Sequence, residues 1–449
     1  MNARNALALA VLALIGVSAA GCETVSKVNP FHKAETNKVK AAEGERIPLI
    51  AFNQKLEVSE ALKGQTFFLP DPQPVAAWPQ SFGTPGVWIE NLDAAKEFRL
   101  AWRRGIGEAS NRSLHLTAPP VGADGKIFVM DAEARVSAYD AATGGRIWSV
   151  DMAERSHRDR EGFGGGVAFD NGKLYVTSGY RFIAALDAAT GKRLWRTNTD
   201  SPIHGAPSVI GGRVLAINVD DELDSYNLET GAPDWTYQAL TEPARILKAS
   251  SAVPADEAII APFASGELVA LHSANGNEEW SVTLSRTSRT NAISEIRDIA
   301  GRPVVFSGAV FAGSHSGVFA DVALSSGETK WTLPITTITT PWPAGDVIYI
   351  VSQAGEVICA SRENGQVYWI TDLNKGVKKR KERAMFYGPV LASGRLVVVS
   401  DHGRAIALDP KTGARQSSID IGSPALMGPI AMNGLIYVVT DKADLVAIR

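Results

Sequence analysis

Between positions 136 and 150 the chain alternates apolar and polar residues, breaks at Thr-Gly, and resumes with a Trp four residues after the Gly: VSAYDAATGGRIWSV. The pattern returns at 183–197, 223–237, 268–282, 319–333 and 357–371, and a worn copy at 405–419 has Ser417 in the Trp place. Alternation with period two predicts strands, and a Gly between two such runs predicts a hairpin whose turn needs positive φ. Trp148, Trp195, Trp235, Trp280, Trp331 and Trp369 follow one another at 38 to 51 residues. A strand-only repeat of that length predicts propeller blades of four strands each.

An apolar strand stands upstream of every copy, beginning at Gly125, Gly172, Gly212, Glu257, Gly308, Gly345, Gly394 and Gly434. These are eight starts, and the eighth is followed only by DLVAIR at 444–449 before the chain stops. The strand missing there is found at the other end of the series, where EFRLAWR (97–103) carries Trp102. The expected fold is therefore all-β: an eight-bladed propeller of four-stranded antiparallel blades, with strand 97–103 completing the C-terminal blade. Such closure removes the sheet edges that an open array would expose. A ring on each outgoing strand is expected to fill the gap between neighbouring sheets, and Trp195 is expected to be buried there.

Composition changes this picture little. The chain of 449 residues is 45% hydrophobic with a formal charge of −3, an ordinary globular balance that gives no footing for nucleic-acid binding. Length alone suggests about three domains, but the repeats assign 97–449 to one.

The first 21 residues carry Arg4, an apolar run over 6–20 too short to span a bilayer, and small residues before Cys22, which together predict a secretory signal. The 19–22 box AAGC resembles that of bacterial lipoproteins, which implies cleavage before Cys22 and acylation of that residue. Glu23, in place of the Asp that retains such proteins in the inner membrane, favours the outer membrane, periplasmic face. A plain secreted protein is the alternative. Segment 22–96 is expected to be a lipidated tether followed by a Pro-rich extended stretch, which either packs on the propeller or meets a partner. Cys359, the only other cysteine, is expected to be a buried apolar residue.

The individual features lie in the loops between blades, the usual place for binding on a rigid ring. Ile246 and Leu247 stand beside Arg245 and Lys248, while Ile296 and Ile299 flank Arg297 and Asp298. Either these aliphatics cap the nearest blade or they face a partner. The run KKRKER (378–383) is expected to be a solvated loop, or else a docking patch for an acidic surface.

The repeat Asp-x-x-Thr-Gly-x-x-x-Trp (Asp140, Thr143, Gly144, Trp148; Asp187, Thr190, Gly191, Trp195) resembles that of quinoprotein dehydrogenases, which implies pyrroloquinoline quinone and calcium in the central channel. This chain has no adjacent Cys pair and no H-x-x-x-H, P-loop or Gly-x-Ser-x-Gly element. Fold does not settle function, and the residues favour a non-enzymatic binding scaffold with neither catalytic residue, cofactor nor metal.

Lipobox, tether and eight repeats of this type together resemble the BamB family, lipoprotein subunits of the outer-membrane β-barrel assembly machinery. The resemblance implies binding to the POTRA domains of BamA, association with further subunits and with unfolded outer-membrane proteins, and a lipid anchor in the outer membrane. In that family the loops before the fourth and fifth blades meet BamA. A Leu-Arg pair there corresponds to Leu247 and Lys248, and an Asp-x-Asp to Asp298-Ile299-Ala300, with the second Asp lost. The partner-binding residues so implied are Leu247, Lys248, Arg297 and Asp298. A dehydrogenase, or a periplasmic propeller with another partner, are the alternatives.

Overall fold

Blade two shows how the repeat becomes structure. In the computed structural model, Gly165–Asp170, Lys173–Ser178, Phe182–Asp187 and Arg193–Asn198 pair successively and antiparallel, from the ring axis outward. The first three strands are buried almost throughout, whereas the outermost is largely exposed. The structure describes residues 56–81, 83–84, 86–153, 162–242, 246, 250–285 and 296–449. Among these, thirty-two strands form eight such sheets.

The eighth sheet is closed by the two ends of the series. Leu100–Gly105 pairs antiparallel with Asp444–Ile448, placing Trp102 opposite Ala447. Arg99 and Arg449 exchange backbone hydrogen bonds of 3.0 and 2.9 Å beyond the strand. The closing strand begins at Leu100, not at residue 97. Ala95 and Phe98 adopt left-handed φ of 51° and 46°, and Phe98 N–H donates to the Ala95 carbonyl at 3.1 Å, so a turn occupies the expected first residues.

The turn Gly of each blade lies beneath the Trp ring of the blade before it. A Cβ added at Gly191 would stand 2.7 Å from Trp148, and one at Gly144 would stand 2.7 Å from Trp102. Gly231, Gly276, Gly327, Gly365 and Gly413 meet Trp195, Trp235, Trp280, Trp331 and Trp369 in the same way. In four of these contacts the indole N–H adds a hydrogen bond to the neighbouring turn, from Trp148 to the Ala188 carbonyl at 3.1 Å, Trp195 to Leu228 at 3.1 Å, Trp280 to Leu324 at 2.8 Å and Trp331 to Arg362 at 3.1 Å. In the three turns that lead with an aspartate, at Asp140, Asp187 and Asp409, the carboxylate is spent locally: Asp140 Oδ1 accepts from Thr143 N–H at 2.8 Å and Oγ1 at 2.7 Å. Those bonds, the side-chain one foremost, hold the Asp140 carboxyl below its usual range. The turn is therefore firm above the ordinary carboxylate pKa and loosens as pH falls through the lowered one.

This arrangement accounts for Ser417. The seventh blade faces the eighth, whose third and fourth strands come from opposite ends of the chain and share no turn. No glycine waits there for a ring. The expectation that Trp195 is buried is corrected: it is only half-buried, packing against the edge of the core shared by blades two and three while it covers the turn at Gly231. Cys359, in contrast, is fully buried and unpaired, and desolvation pushes its thiol well up.

Residues 56–99 pack on the propeller. Ser59 N–H donates to the Val367 carbonyl of blade six at 2.9 Å, and Phe68 and Asp346 bond each other at 2.8 and 3.2 Å. Trp78 and Gly122 form an antiparallel bridge at the inner edge of blade one, and Leu92 bridges Ala392 of blade seven. Gln80 binds the backbone of Val209 in blade three, with its amide donating at 3.2 Å and its oxygen accepting at 3.3 Å. The strap thus crosses the turn face and enters the axial channel, where it occupies edges of the innermost strands that the ring alone leaves open.

Trp195→Ala is expected to cost about 3 kcal/mol, the lower end of the range for large aromatic truncations, because the ring is half-buried. Gly191→Ala is expected to destabilise clearly more than Gly172→Ala in chemical denaturation. Both glycines have positive φ, 74° and 76°, but nothing stands within 4 Å of an added Cβ at Gly172.

Candidate functional site

Four antiparallel strands per blade sort the connections onto two faces. Turns between first and second and between third and fourth strands share one face with the strap. The loops that link blades lie on the other, and Ile246 and Ile296–Asp298 belong to them.

Asp298 reaches across from the loop before blade five. Its Oδ2 accepts from the Ile246 N–H of the loop before blade four at 3.1 Å, and its carbonyl accepts from His315 N–H at 2.9 Å. The side chain is only 6% exposed, so it joins two loops rather than presenting a free carboxylate. Arg297 is half-buried and packs over Gly266. Ile299 has no exposure at all and belongs to the core of blades four and five, so of the two aliphatics expected beside Arg297 only Ile296 is partly accessible. Leu247, Lys248 and Cys22 lie outside the described residues.

The basic run is solvated as expected, since Lys378 to Arg383 are all exposed. Lys379 pairs with Glu382 at 3.0 Å, while Asn374 and Ala384 exchange two 2.9 Å hydrogen bonds that pinch the base of the loop.

A second feature went unnoticed in the sequence. On the axis lies a cavity of about 110 Å³, walled by the residues that lead into the innermost strands and floored by Trp78, Ser81 and Trp88 of the strap. Trp342 packs against both rings, at 6.3 Å from Trp78 and 4.6 Å from Trp88. Arg302 is the cation of the lining. It is 6% exposed, donates Nη2 to Ser208 Oγ at 3.0 Å and to the Ala252 carbonyl at 2.5 Å, and its charge is disfavoured by burial. The only sequence signal for this cavity is the series of Ser and Thr just ahead of innermost strands (Thr117, Ser250, Ser251, Thr339, Thr340).

The central channel is where a quinone and calcium would sit in a dehydrogenase. These residues do not fit that pair. The lining holds no carboxylate, whereas calcium takes six to eight oxygen ligands, and the volume lies below the roughly 300 Å³ at which ligand pockets begin. Among the described residues no three His, Cys, Asp or Glu side chains group as metal ligands.

A family model described as outer membrane protein assembly factor BamB matches residues 95–162, 132–371 and 375–449. An outer membrane protein assembly factor BamB from Shewanella oneidensis is 24% identical, over 76% of this chain and 86% of that protein. Among solved structures, BamB from Moraxella catarrhalis superposes with a TM-score of 0.68 at 18% identity, covering 78% of this chain and 99% of that one. Quinohemoprotein alcohol dehydrogenase from Comamonas testosteroni reaches 0.60 at 15% identity, covering 81% and 76%. Both likenesses show the propeller fold, and neither distinguishes binding from catalysis.

The cavity chemistry bears on the quinone alone, since its lining offers no carboxylate to the calcium that would accompany it. Purified protein mixed with pyrroloquinoline quinone and calcium is expected to give no saturable change in quinone absorption and no dye reduction with alcohols; turnover would overturn the scaffold reading.

Proposed function

Since the chain belongs to the outer membrane protein assembly factor BamB family, we propose that it is a non-enzymatic scaffold of the β-barrel assembly machinery, docking the POTRA domains of BamA through its inter-blade loop face. The observation that supports this most is the bond from Ile246 N–H to Asp298. It ties together the two loops that the family resemblance implies for BamA, so that one surface can be presented by both. A surface fixed before encounter loses less entropy on binding than two independent loops would.

In this reading the four residues divide by role. Leu247 buries apolar area against the partner, while Lys248 and Arg297 set orientation through charge. Asp298 acts as a positioning residue, because its carboxylate is occupied within the protein. Lipidation at Cys22 tethers the propeller to the periplasmic face of the outer membrane, and acyl chains supply the affinity for that surface. Unfolded outer-membrane proteins would be served through the assembled machinery rather than by chemistry on this chain.

Leu247→Ala combined with Asp298→Ala is expected to abolish co-purification with BamA from detergent extracts, with the circular dichroism of the propeller unchanged. Arg297→Glu alone is expected to weaken association and to remove much of its salt dependence. Wild-type recovery of BamA by the folded double variant would show that docking lies elsewhere.

A further inference from the structure

The strap serves the innermost strands unequally. In blade one Gly122, opposite Ile127 in the hairpin, exchanges backbone hydrogen bonds of 2.6 and 2.8 Å with Trp78. In blade three Val209, opposite Val214, uses both its N–H and its carbonyl on the Gln80 amide. Phe169 N–H donates to the Pro79 carbonyl in blade two, and the carbonyls of Pro343 and Leu391 accept from Trp88 and Leu92 in blades six and seven. Blade eight is met at the turn that follows, where Asn433 N–H donates to the Val75 carbonyl at 2.8 Å. Among the described residues, no strap residue bonds to blade four or blade five. There the strap from Gly86 to Trp88 borders a groove of about 300 Å³ on the turn face.

Val305 holds the recurring position in blade five and lines that groove. Ser307 and Gly308, with φ of 51° and 73°, form a two-residue turn, so Phe306 and Ala309 on either side of it exchange ladder bonds and the next pair, Val305 and Val310, does not. The Val305 N–H and carbonyl therefore point off the inner edge of the sheet, as those of Gly122 and Val209 do. Around them the surface is apolar: Val87 is 57% exposed, and Trp88, Phe306 and Leu324 are partly exposed. An open strand edge beside apolar surface is a template for a further strand, whose backbone supplies hydrogen bonds and whose side chains supply area. Asp256 is the one charged side chain of the described lining, which sets the groove against acidic segments.

We propose that this groove docks an extended, neutral or basic apolar segment of another protein. One residue of the segment exchanges backbone hydrogen bonds with Val305, as Trp78 does with Gly122, and a neighbouring apolar side chain lies on Val87, Phe306 and Leu324. The occupant thus continues around the ring the interface that the strap makes with the other blades. The site is on the turn face, opposite the loops proposed above to meet BamA, and stands or falls separately from them.

A fluorescein-labelled hexapeptide of alternating valine and threonine with a C-terminal lysine amide, titrated against the full chain and followed by anisotropy, tests the site. Saturable binding at micromolar concentration is expected. Val305→Pro removes the N–H donor at a position where blades four and six already carry Pro254 and Pro343, opposite Ile259 and Ile348. It is expected to weaken binding roughly fivefold, as the loss of one hydrogen bond would. Val87→Asp, on an exposed side chain, is expected to weaken it at least as much, and Leu240→Asp, equally exposed on the loop face, to leave it unchanged. No saturation, or equal loss in all three variants, overturns the proposal, the second by showing general adhesion to apolar surface. Should Val305→Pro fail to fold, Val87→Asp against Leu240→Asp is the comparison, and equal affinities overturn the site. Light scattering is expected to show a monomer. A dimer that Val87→Asp dissociates would make a second copy the occupant and overturn docking of another protein.

Discussion

One contact is repeated around the ring: an indole of one blade laid on the turn glycine of the next. It requires both partners at once. Any side chain at the glycine would collide with the ring, and the turn itself needs positive φ, so two constraints select glycine at the same position. At Trp148, Trp195, Trp280 and Trp331 the indole N–H also closes on a carbonyl of the neighbouring turn, and there the contact gains direction as well as area. Because Trp and Gly of one copy serve different neighbours, a single blade cannot satisfy its own motif. Cooperation between blades is therefore built into the repeat.

That constraint explains the one irregular copy and the closure together. A closed ring of eight sheets has eight junctions between blades, but one sheet is assembled from both ends of the chain and lacks the turn that carries the glycine. Ser417 marks that junction. Within the eighth sheet itself the ring is closed by the backbone ladder between Leu100–Gly105 and Asp444–Ile448, reinforced by Arg99 and Arg449. Trp102, borne on the closing strand, restores the pattern by docking on Gly144.

Rigidity of this kind leaves function to what is attached. On one face the strap threads the turns and carries Trp78 and Trp88 into the axis. This reduces the channel to a cavity of about 110 Å³. On the other face, Asp298 gathers two inter-blade loops into one surface, at the expense of its own availability for contact.

The sequence alone determined the blade number, the strand order and the closure, because period-two alternation and the Gly-to-Trp interval are local properties repeated often enough to be counted. It also placed Cys359 correctly inside a strand, since an apolar neighbourhood is enough to bury a small side chain. Only the tertiary structure decided where the strap runs, because its prolines specify an extended chain without saying which edges it pairs with. Likewise it withdrew Asp298 and Ile299 from the surface and brought Trp78, Ser81, Thr117, Ser250 and Arg302 around one space. Those positions are far apart along the chain, and no periodicity links them. Their meeting is a consequence of the ring's radial symmetry, which brings the leading end of every blade to the axis whatever side chain stands there.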